Sequence, residues 1–486
     1  MLYLNDPLLL KQQLFINRKW VDGDSEKSIS VQNPATGIEI CKVASATKED
    51  VVFSIECAQD ALQTWRATTA KQRAELLKNW YHLIIENIDD LTSILTVEQG
   101  KPLAEAKAEI LYGASYIEWF AEEAKRMYGD IIPSNKSSQR LLTIKQPIGV
   151  VAAITPWNFP NAMITRKAAP ALAAGCSIIV KPSETTPLSA LALAELAQRA
   201  GIPKGVFSVV IGVDSKEIGK ELTDNPLVKK LSFTGSTKVG KILIKQCADT
   251  VKKVSMELGG NAPFIVFEDA DIDQAVKGAI ASKFRNAGQT CVCANRFLVH
   301  SSVYQAFTTK FVEATKKLVM GNGIEAKVSI GPLITAAAVQ DVHAKVTYAA
   351  ENGAKILLGG SPSQLGANFY PPTILSDVTP DMRVFKEEIF GPVAPIIAFD
   401  TEQQALELAN ATEAGLASYL YTQNYSRIWR FSERLENGIV GINEGVISTE
   451  VAPFGGIKQS GNGREGSKYG MDDYTEIKYL CMGGLV

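Results

Sequence analysis

The runs Ile148-Gly-Val-Val-Ala-Ala-Ile154-Thr-Pro156, Ser177-Ile-Ile-Val180-Lys181-Pro182, Val206-Phe-Ser-Val-Val210, Leu231-Ser-Phe-Thr234-Gly235 and Val251-Lys-Lys-Val-Ser-Met-Glu257-Leu-Gly259-Gly260 decide the fold. Each is a short apolar stretch of strand length, and all but the third halt at proline or glycine. Helical patterns separate them. Thr186-Pro187 opens one through Gln198, with proline at the first helical position; a second lies around 215–223, and a third runs from Gly235 to about Ala248. Short buried strands alternating with helices predict a parallel, doubly wound α/β sheet. Ligands of such sheets gather beyond the carboxyl ends of the strands. The segments there are Pro156-Trp157-Asn158, Lys181-Pro182-Ser183-Glu184, Thr234-Gly235-Ser236 and Glu257-Leu258-Gly259-Gly260.

Upstream, Ala70 to Ile94 and Leu103 to Met127 carry apolar residues at helical spacing, separated by the stop Gln99-Gly100-Lys101-Pro102. The stretch 125–146 reads as a hairpin. After Gly260 a second α/β series runs to about residue 445, with an amphipathic helix on Ile272, Val276, Ile280 and Phe284 that ends near Gly288. Residues 474–481 read as a terminal strand. An unpaired edge is a liability, so this strand is expected to pair in an oligomer.

At 486 residues the chain exceeds one core, and two or three domains are expected. Lys plus Arg number 50 against 52 Asp plus Glu, which argues against the clustered positive charge of a nucleic-acid partner. His82, His300 and His343 are scattered, which counts against a metal site and against histidine-assisted nucleophiles. The seven cysteines are odd in number and mostly isolated, as in a reducing compartment. The N-terminus lacks a basic region and a cleavage site, and the apolar run Ala168 to Val180 is far short of the ~20 residues of a membrane span. A soluble cytoplasmic protein without a membrane partner is expected.

Two glycine patterns mislead. Gly461-Asn-Gly-Arg-Glu-Gly466 matches GxGxxG, but no apolar strand precedes it, so it reads as a loop. Gly235-Ser-Thr-Lys-Val-Gly-Lys241-Ile242 resembles a P-loop except that Ile242 replaces the magnesium-binding hydroxyl. A nucleotide-triphosphate hydrolase is therefore the weaker alternative, although this helix start suits a phosphate. A catalytically silent binding protein is a third.

Cys291 stands apart from the other cysteines because it sits in a polar, glycine-containing turn, Asn286-Ala-Gly-Gln-Thr-Cys291-Val-Cys293. Only a few per cent of a thiol with a pKa near ~8.5 is thiolate at neutral pH, so a nucleophile needs a base nearby. With no suitable histidine, Glu257 is the best-placed carboxylate, and the glycines after it let backbone approach a ligand closely. Asn158 and the Cys291 N–H are candidate oxyanion donors. Lys181 and Glu184 stand where a lysine would reach ribose or phosphate oxygens and an acid would bind ribose hydroxyls and repel a 2′-phosphate.

Thr-Pro-Trp-Asn-Phe-Pro (155–160), Lys-Pro-Ser-Glu-Thr-Thr-Pro (181–187), Phe-Thr-Gly-Ser (233–236), Glu-Leu-Gly-Gly (257–260), Gly-Gln-Thr-Cys (288–291), Glu-Glu-Ile-Phe-Gly-Pro (387–392) and Pro-Phe-Gly-Gly-Ile-Lys-Gln-Ser-Gly (453–461) resemble the aldehyde dehydrogenase superfamily, in order and over nearly the whole chain. Residues 284–296, 443–448 and 478–484 are similar to its succinate-semialdehyde dehydrogenases. The resemblance implies Cys291 as nucleophile, Glu257 as base and Asn158 as oxyanion donor. It implies NAD, with NADP as the second choice, contacted by Trp157, Lys181, Ser183, Glu184, Gly235, Ser236, Glu388 and Phe390. Arg166, Arg285 and Ser448 would hold the distal carboxylate of succinate semialdehyde, or of glutarate semialdehyde, which is one methylene longer. Cys293 would be a redox partner of Cys291. The implied architecture is a dinucleotide-binding domain from 1–124 and 146–256, a catalytic domain at 257–445, and oligomerisation segments 125–145 and 470–486 that build a homotetramer or homodimer.

Overall fold

The apolar runs form the expected sheet. A computed structural model describes residues 3–23 and 27–485. Ser177–Lys181, Val150–Ile154, Val228–Thr234 and Lys253–Glu257 lie side by side and parallel. Helices cover them, so Ser177–Lys181 is buried at every residue and carries no polar alternation. Phe207–Val209 extends the sheet in parallel, and the hairpin of Leu14–Ile16 and Lys19–Val21 closes that edge antiparallel. The chain moves outward from Val150–Ile154 to Phe207–Val209, then returns to the other side of Val150–Ile154 with Val228–Thr234. That reversal is the switch point at which a doubly wound sheet opens a crevice.

Several boundaries differ from the sequence reading. The helix expected over 70–94 is two, Ala70–Glu86 and Ile88–Gln99. They part at Asn87, whose side chain bonds the Leu83 carbonyl at 2.8 Å and competes with the helical ladder. Gly100 at φ 98 ends the second, and the next helix, Leu103–Glu123, closes in the single turn Ala124–Arg126. Val251 stands outside its strand, 90% exposed with φ 52. The GxGxxG segment is more than a loop: Gly461–Asn462 adds an antiparallel edge strand beside Met256 and Glu257. Only a glycine permits this, because a Cβ on Gly461 would fall 1.8 Å from the Met256 carbonyl oxygen.

The second α/β series forms a sheet of Ala262–Val266, Ala294–His300, Val393–Phe399, Thr373–Ser376, Ala417–Tyr421 and Ile439–Ile442, all parallel, with Lys355–Leu358 antiparallel at one edge. Each sheet has its own core, around Val151, Ile179 and Leu231 in the first and Phe264, Leu298 and Ile396 in the second.

The stretch 125–146 does form a hairpin, from Ile131–Ile132 and Arg140–Pro147. The terminal strand Thr475–Met482 pairs along the whole of Arg140–Pro147 in its own chain, so its pairing needs no second copy. The segment 470–486 also does not begin as a free arm, because Met471 and Tyr474 are buried in the first core. Among the described residues no helix is long and apolar enough to cross a membrane.

Candidate active site

The strand Val150–Ile154 ends with Thr155 N–H donating to the Lys181 carbonyl at 3.0 Å, and the chain then turns through Pro156 and Trp157 to Asn158. Asn158 is buried. Its Nδ2 donates to the Gln289 carbonyl at 3.0 Å, and its Oδ1 has no partner. Its own carbonyl accepts from Lys101 Nζ at 2.7 Å and from Asn286 Nδ2 at 2.9 Å.

Cys291 arrives from the other sheet. Helix Ile272–Phe284 ends at Arg285, and Asn286 and Ala287 then adopt left-handed backbone at φ 52 and 53. Each such non-glycine residue stores about 1–3 kcal/mol, which the surroundings must hold in place. Glu105 accepts from Asn286 N–H at 2.8 Å, and the Gln289 side chain donates to the Asn286 carbonyl at 3.0 Å. Cys291 follows, just ahead of strand Ala294–His300.

A cleft of about 240 Å³ opens where these loops meet, lined by Trp157, Asn158, Gly235, Ser236, Cys291, Glu388 and Phe390 among others. Cys291 is half-buried and faces it. Burial pushes its thiol up to about 12; Glu388 and Glu257 act in the same sense, and Arg166 and Arg285 oppose them. Phe390, at φ 53, meets the Trp157 ring edge-on at 5.6 Å. Glu388 accepts from Gly260 N–H at 2.9 Å, and burial raises its carboxyl to about 7.

Gly259 lines the cleft, and both glycines also let protein backbone and side chain come close. A Cβ on Gly260 would stand 2.2 Å from the Cys291 carbonyl oxygen, and one on Gly259 would stand 2.7 Å from Glu388 Oε2.

Glu257 ends its strand behind the cleft wall rather than in its lining. Both its oxygens lack hydrogen-bond partners, and burial, then Glu465, raises its carboxyl well above the usual range. Glu465, invisible to motif reading, joins Arg166 and Lys167 in a buried cluster. Burial alone would raise its carboxyl, but the two cations outweigh that and hold it low.

Arg285 and Ser448 come together in a neighbouring cavity, also about 240 Å³, with Phe159 and Tyr112. Phe159 and Met163 pack together, with Tyr112 against them, where this cavity adjoins the cleft. The Arg285 guanidinium lies 5.5 Å from the Phe159 ring centre and makes no ion pair with the described residues. Arg166 does not join them. It is 1% exposed, ion-paired through Nε to Glu465 Oε2 at 2.5 Å and stacked 4.1 Å from Phe454, and neither its Nε nor its Nη2 has a hydrogen-bond partner among the described residues.

Lys181, Ser183 and Glu184 stand at the next strand end, outside the cleft lining. Lys181 Nζ is 3.6 Å from Glu184, which also accepts from Ser215, and Ser183 bonds Thr185 at 2.7 Å. In the P-loop-like segment, Ser236 caps helix Thr237–Cys247 while Lys241 turns to Gln459 at 2.7 Å. Cys293 is buried with its sulfur on the Lys283 carbonyl at 3.2 Å, and both it and Cys291 are free thiols. Beyond the motifs, Asn261 and Asn295 tie the 385–389 loop to the strand starts, through bonds of 2.9 and 3.0 Å to Phe385 and Ile389.

Residues 20–480 match the model of the aldehyde dehydrogenase family. The chain is 58% identical over 482 residues to a glutarate-semialdehyde dehydrogenase of Pseudomonas aeruginosa, covering 99% of this chain and 100% of that one. It is likewise 58% identical over 480 residues to the NADP(+) succinate-semialdehyde dehydrogenase of Escherichia coli, covering 99% of each. The crystal structure of succinate-semialdehyde dehydrogenase from Burkholderia pseudomallei superposes with a TM-score of 0.98 at 57% identity, covering 99% of both chains.

Proposed function

The chain belongs to the aldehyde dehydrogenase family, and from that premise we propose that it oxidises succinate semialdehyde to succinate with reduction of NAD(P) in the cytoplasm. One observation carries the reading: Cys291 and Asn158 share a cleft, and the cavity beside it holds Arg285, a guanidinium with no ion pair among the described residues, next to Ser448. A guanidinium fork and a hydroxyl suit a carboxylate. Arg166, paired with Glu465, stands apart from them.

The crevice at the switch point fits a dinucleotide. Thr234 Oγ1 is buried there without a partner, and Ser236 opens a helix whose N-terminal amides suit a phosphate. Lys181, Ser183, Glu184, Gly235, Ser236 and Glu388 would hold it, with Trp157 and Phe390 beside the nicotinamide. Glu184 favours NAD over NADP by repelling a 2′-phosphate.

The Cys291 sulfur attacks the aldehyde carbon and forms a thiohemiacetal. The second hydrogen of Asn158 Nδ2 and the Cys291 N–H hold its oxyanion. Bound NAD(P) supplies the hydride acceptor that turns this adduct into a thioester. Glu257, with both oxygens unpartnered, takes the thiol proton, loses it to solvent, and then takes a proton from the hydrolytic water.

Initial rates with C3, C4 and C5 semialdehyde acids and with neutral aldehydes, using each cofactor, test the proposal. The C4 acid should exceed a neutral aldehyde of equal length by about 30-fold or more in kcat/KM, and Arg285→Ala should erase that margin. Equal rates for neutral and acidic substrates would overturn it. Glutarate semialdehyde is the second reading, favoured by the Pseudomonas relative, and one methylene is worth only about 1–3 kcal/mol.

The same reading divides the chain into cofactor-binding (1–124, 146–256), catalytic (257–445) and oligomerising (125–145, 470–486) parts. Ile131, Ile477 and Tyr479, exposed on the small sheet, support assembly into a homodimer or homotetramer, and light scattering that finds a monomer would refute this. Cys293 is the redox partner of Cys291. Peroxide would oxidise the two thiols to a disulfide with release of two waters, and dithiothreitol should then restore activity in the wild type but not in Cys293→Ala.

A further inference from the structure

Lys101, Glu105 and Glu109 fall four residues apart across the start of helix Leu103–Glu123 and share one face of it. All three line the Arg285 cavity, yet their polar atoms are spent on backbone that belongs to the two halves of the active site. Lys101 Nζ donates to the Asn158 carbonyl at 2.7 Å and lies 3.8 Å from the Phe159 ring centre. Glu105 accepts from the N–H of left-handed Asn286 at 2.8 Å. Glu109 pairs with Lys101 at 2.5 Å through one oxygen. Its other oxygen accepts from Asn161 N–H at 2.9 Å and Ala162 N–H at 3.2 Å, where the helix carrying Arg166 begins. Asn286 Nδ2 closes the circuit on the same Asn158 carbonyl, at 2.9 Å.

We infer that Lys101, Glu105 and Glu109 form a positioning strip that sets where the Asn158 amide stands relative to Cys291. The reason is economy of contact. Asn158 and Cys291 reach the cleft from different sheets, and among the described residues two side-chain bonds join their loops directly, Asn158 Nδ2 to the Gln289 carbonyl and Asn286 Nδ2 to the Asn158 carbonyl. The strip ties both loops to one rigid helix. Lys101 is fully buried on Glu109, so its charge is balanced in place and does not serve the substrate carboxylate. A carbonyl held by two donors cannot swing, and the Asn158 side chain one bond away inherits that orientation.

This deepens the proposal that Asn158 holds the oxyanion, and the test separates the two. Lys101→Met should lower kcat by about 10²-fold, within the ~10²–10³ that one oxyanion donor is worth, while KM for the semialdehyde acid changes less than threefold. In an Asn158→Ala background the same substitution should cost less than about twofold, because its effect passes through that amide. Multiplying effects, or a wild-type kcat in Lys101→Met, would overturn the strip. A wild-type rate for Asn158→Ala alone would instead overturn the oxyanion assignment. Glu109→Gln keeps an acceptor for Asn161 and Ala162 and loses only charge, so it carries the same cycle should Lys101→Met fail to fold. Its expected loss is about 10-fold, again abolished by Asn158→Ala.

Discussion

The two sheets meet the cleft with opposite ends. The first presents carboxyl ends: Asn158 follows strand Val150–Ile154, Ser236 follows Val228–Thr234, and Glu257 closes Lys253–Glu257. The second presents amino ends, since Cys291 precedes strand Ala294–His300, Gly260 precedes Ala262–Val266, and Glu388 and Phe390 precede Val393–Phe399. The carboxyl ends of the second sheet face elsewhere and line a mostly apolar groove that includes Ser301, Val378 and Leu408. The placement rule for doubly wound sheets therefore holds for one half and is inverted in the other. The switch-point half needs little strain to form its crevice. The other half must force a turn, and left-handed Asn286, Ala287 and Phe390 are where it does so.

Removing the nucleophile breaks the comparison most severely. Cys291→Ala should lower turnover by about a millionfold, to background, as loss of a covalent nucleophile does. Cofactor binding, which in the proposed function draws mostly on first-half residues, should survive by fluorescence titration; its loss would mean the halves are not separable.

Next is the base. Burial holds Glu257 neutral until pH rises through its raised pKa, and the thiol, pushed up to about 12, stays protonated throughout the working range. A neutral carboxyl cannot accept a proton, so the rate should climb with pH. Glu257→Gln should flatten that limb and cost about 10²–10⁴-fold. A profile unchanged in Glu257→Gln would remove Glu257 from the role.

Gly260→Ala probes the seam between the halves. Its Cβ would strike the Cys291 carbonyl, which is backbone and cannot give way cheaply. A loss of about 1–3 kcal/mol in denaturant unfolding is expected, with kcat reduced about tenfold or more. An undisturbed kcat would show that the turn can shift without consequence.

The smallest effect lies wholly in the first half. Glu184→Ser should move the NAD to NADP ratio of kcat/KM by about tenfold toward NADP, because an acid no longer faces the 2′ position. An unchanged ratio would assign the preference to other residues.

The first half of the site was legible because its rule is local: a strand ends, and the residues after it face the ligand. Asn158, Ser236 and Glu257 emerge from that rule before any family is named. Cys291 could be singled out by its polar turn, but Glu388 and Phe390 became visible only through resemblance. The Lys101, Glu105, Glu109 spacing was present in the sequence, yet a charged stripe on a helix usually faces solvent, and nothing local says that this one is buried. Glu465 was likewise hidden inside a misleading glycine motif.

Periodicity and strand-end chemistry, both short-range properties, were enough for the sequence to determine the α/β class and the two series of strands and helices, and a polar turn was enough to single out Cys291. Long-range packing alone decided that Arg166 is spent on Glu465 while Arg285 stays free, and that the terminal strand pairs with Arg140–Pro147 of its own chain. An ion pair between residues some three hundred positions apart follows from how two cores dock, and no window of sequence contains that geometry.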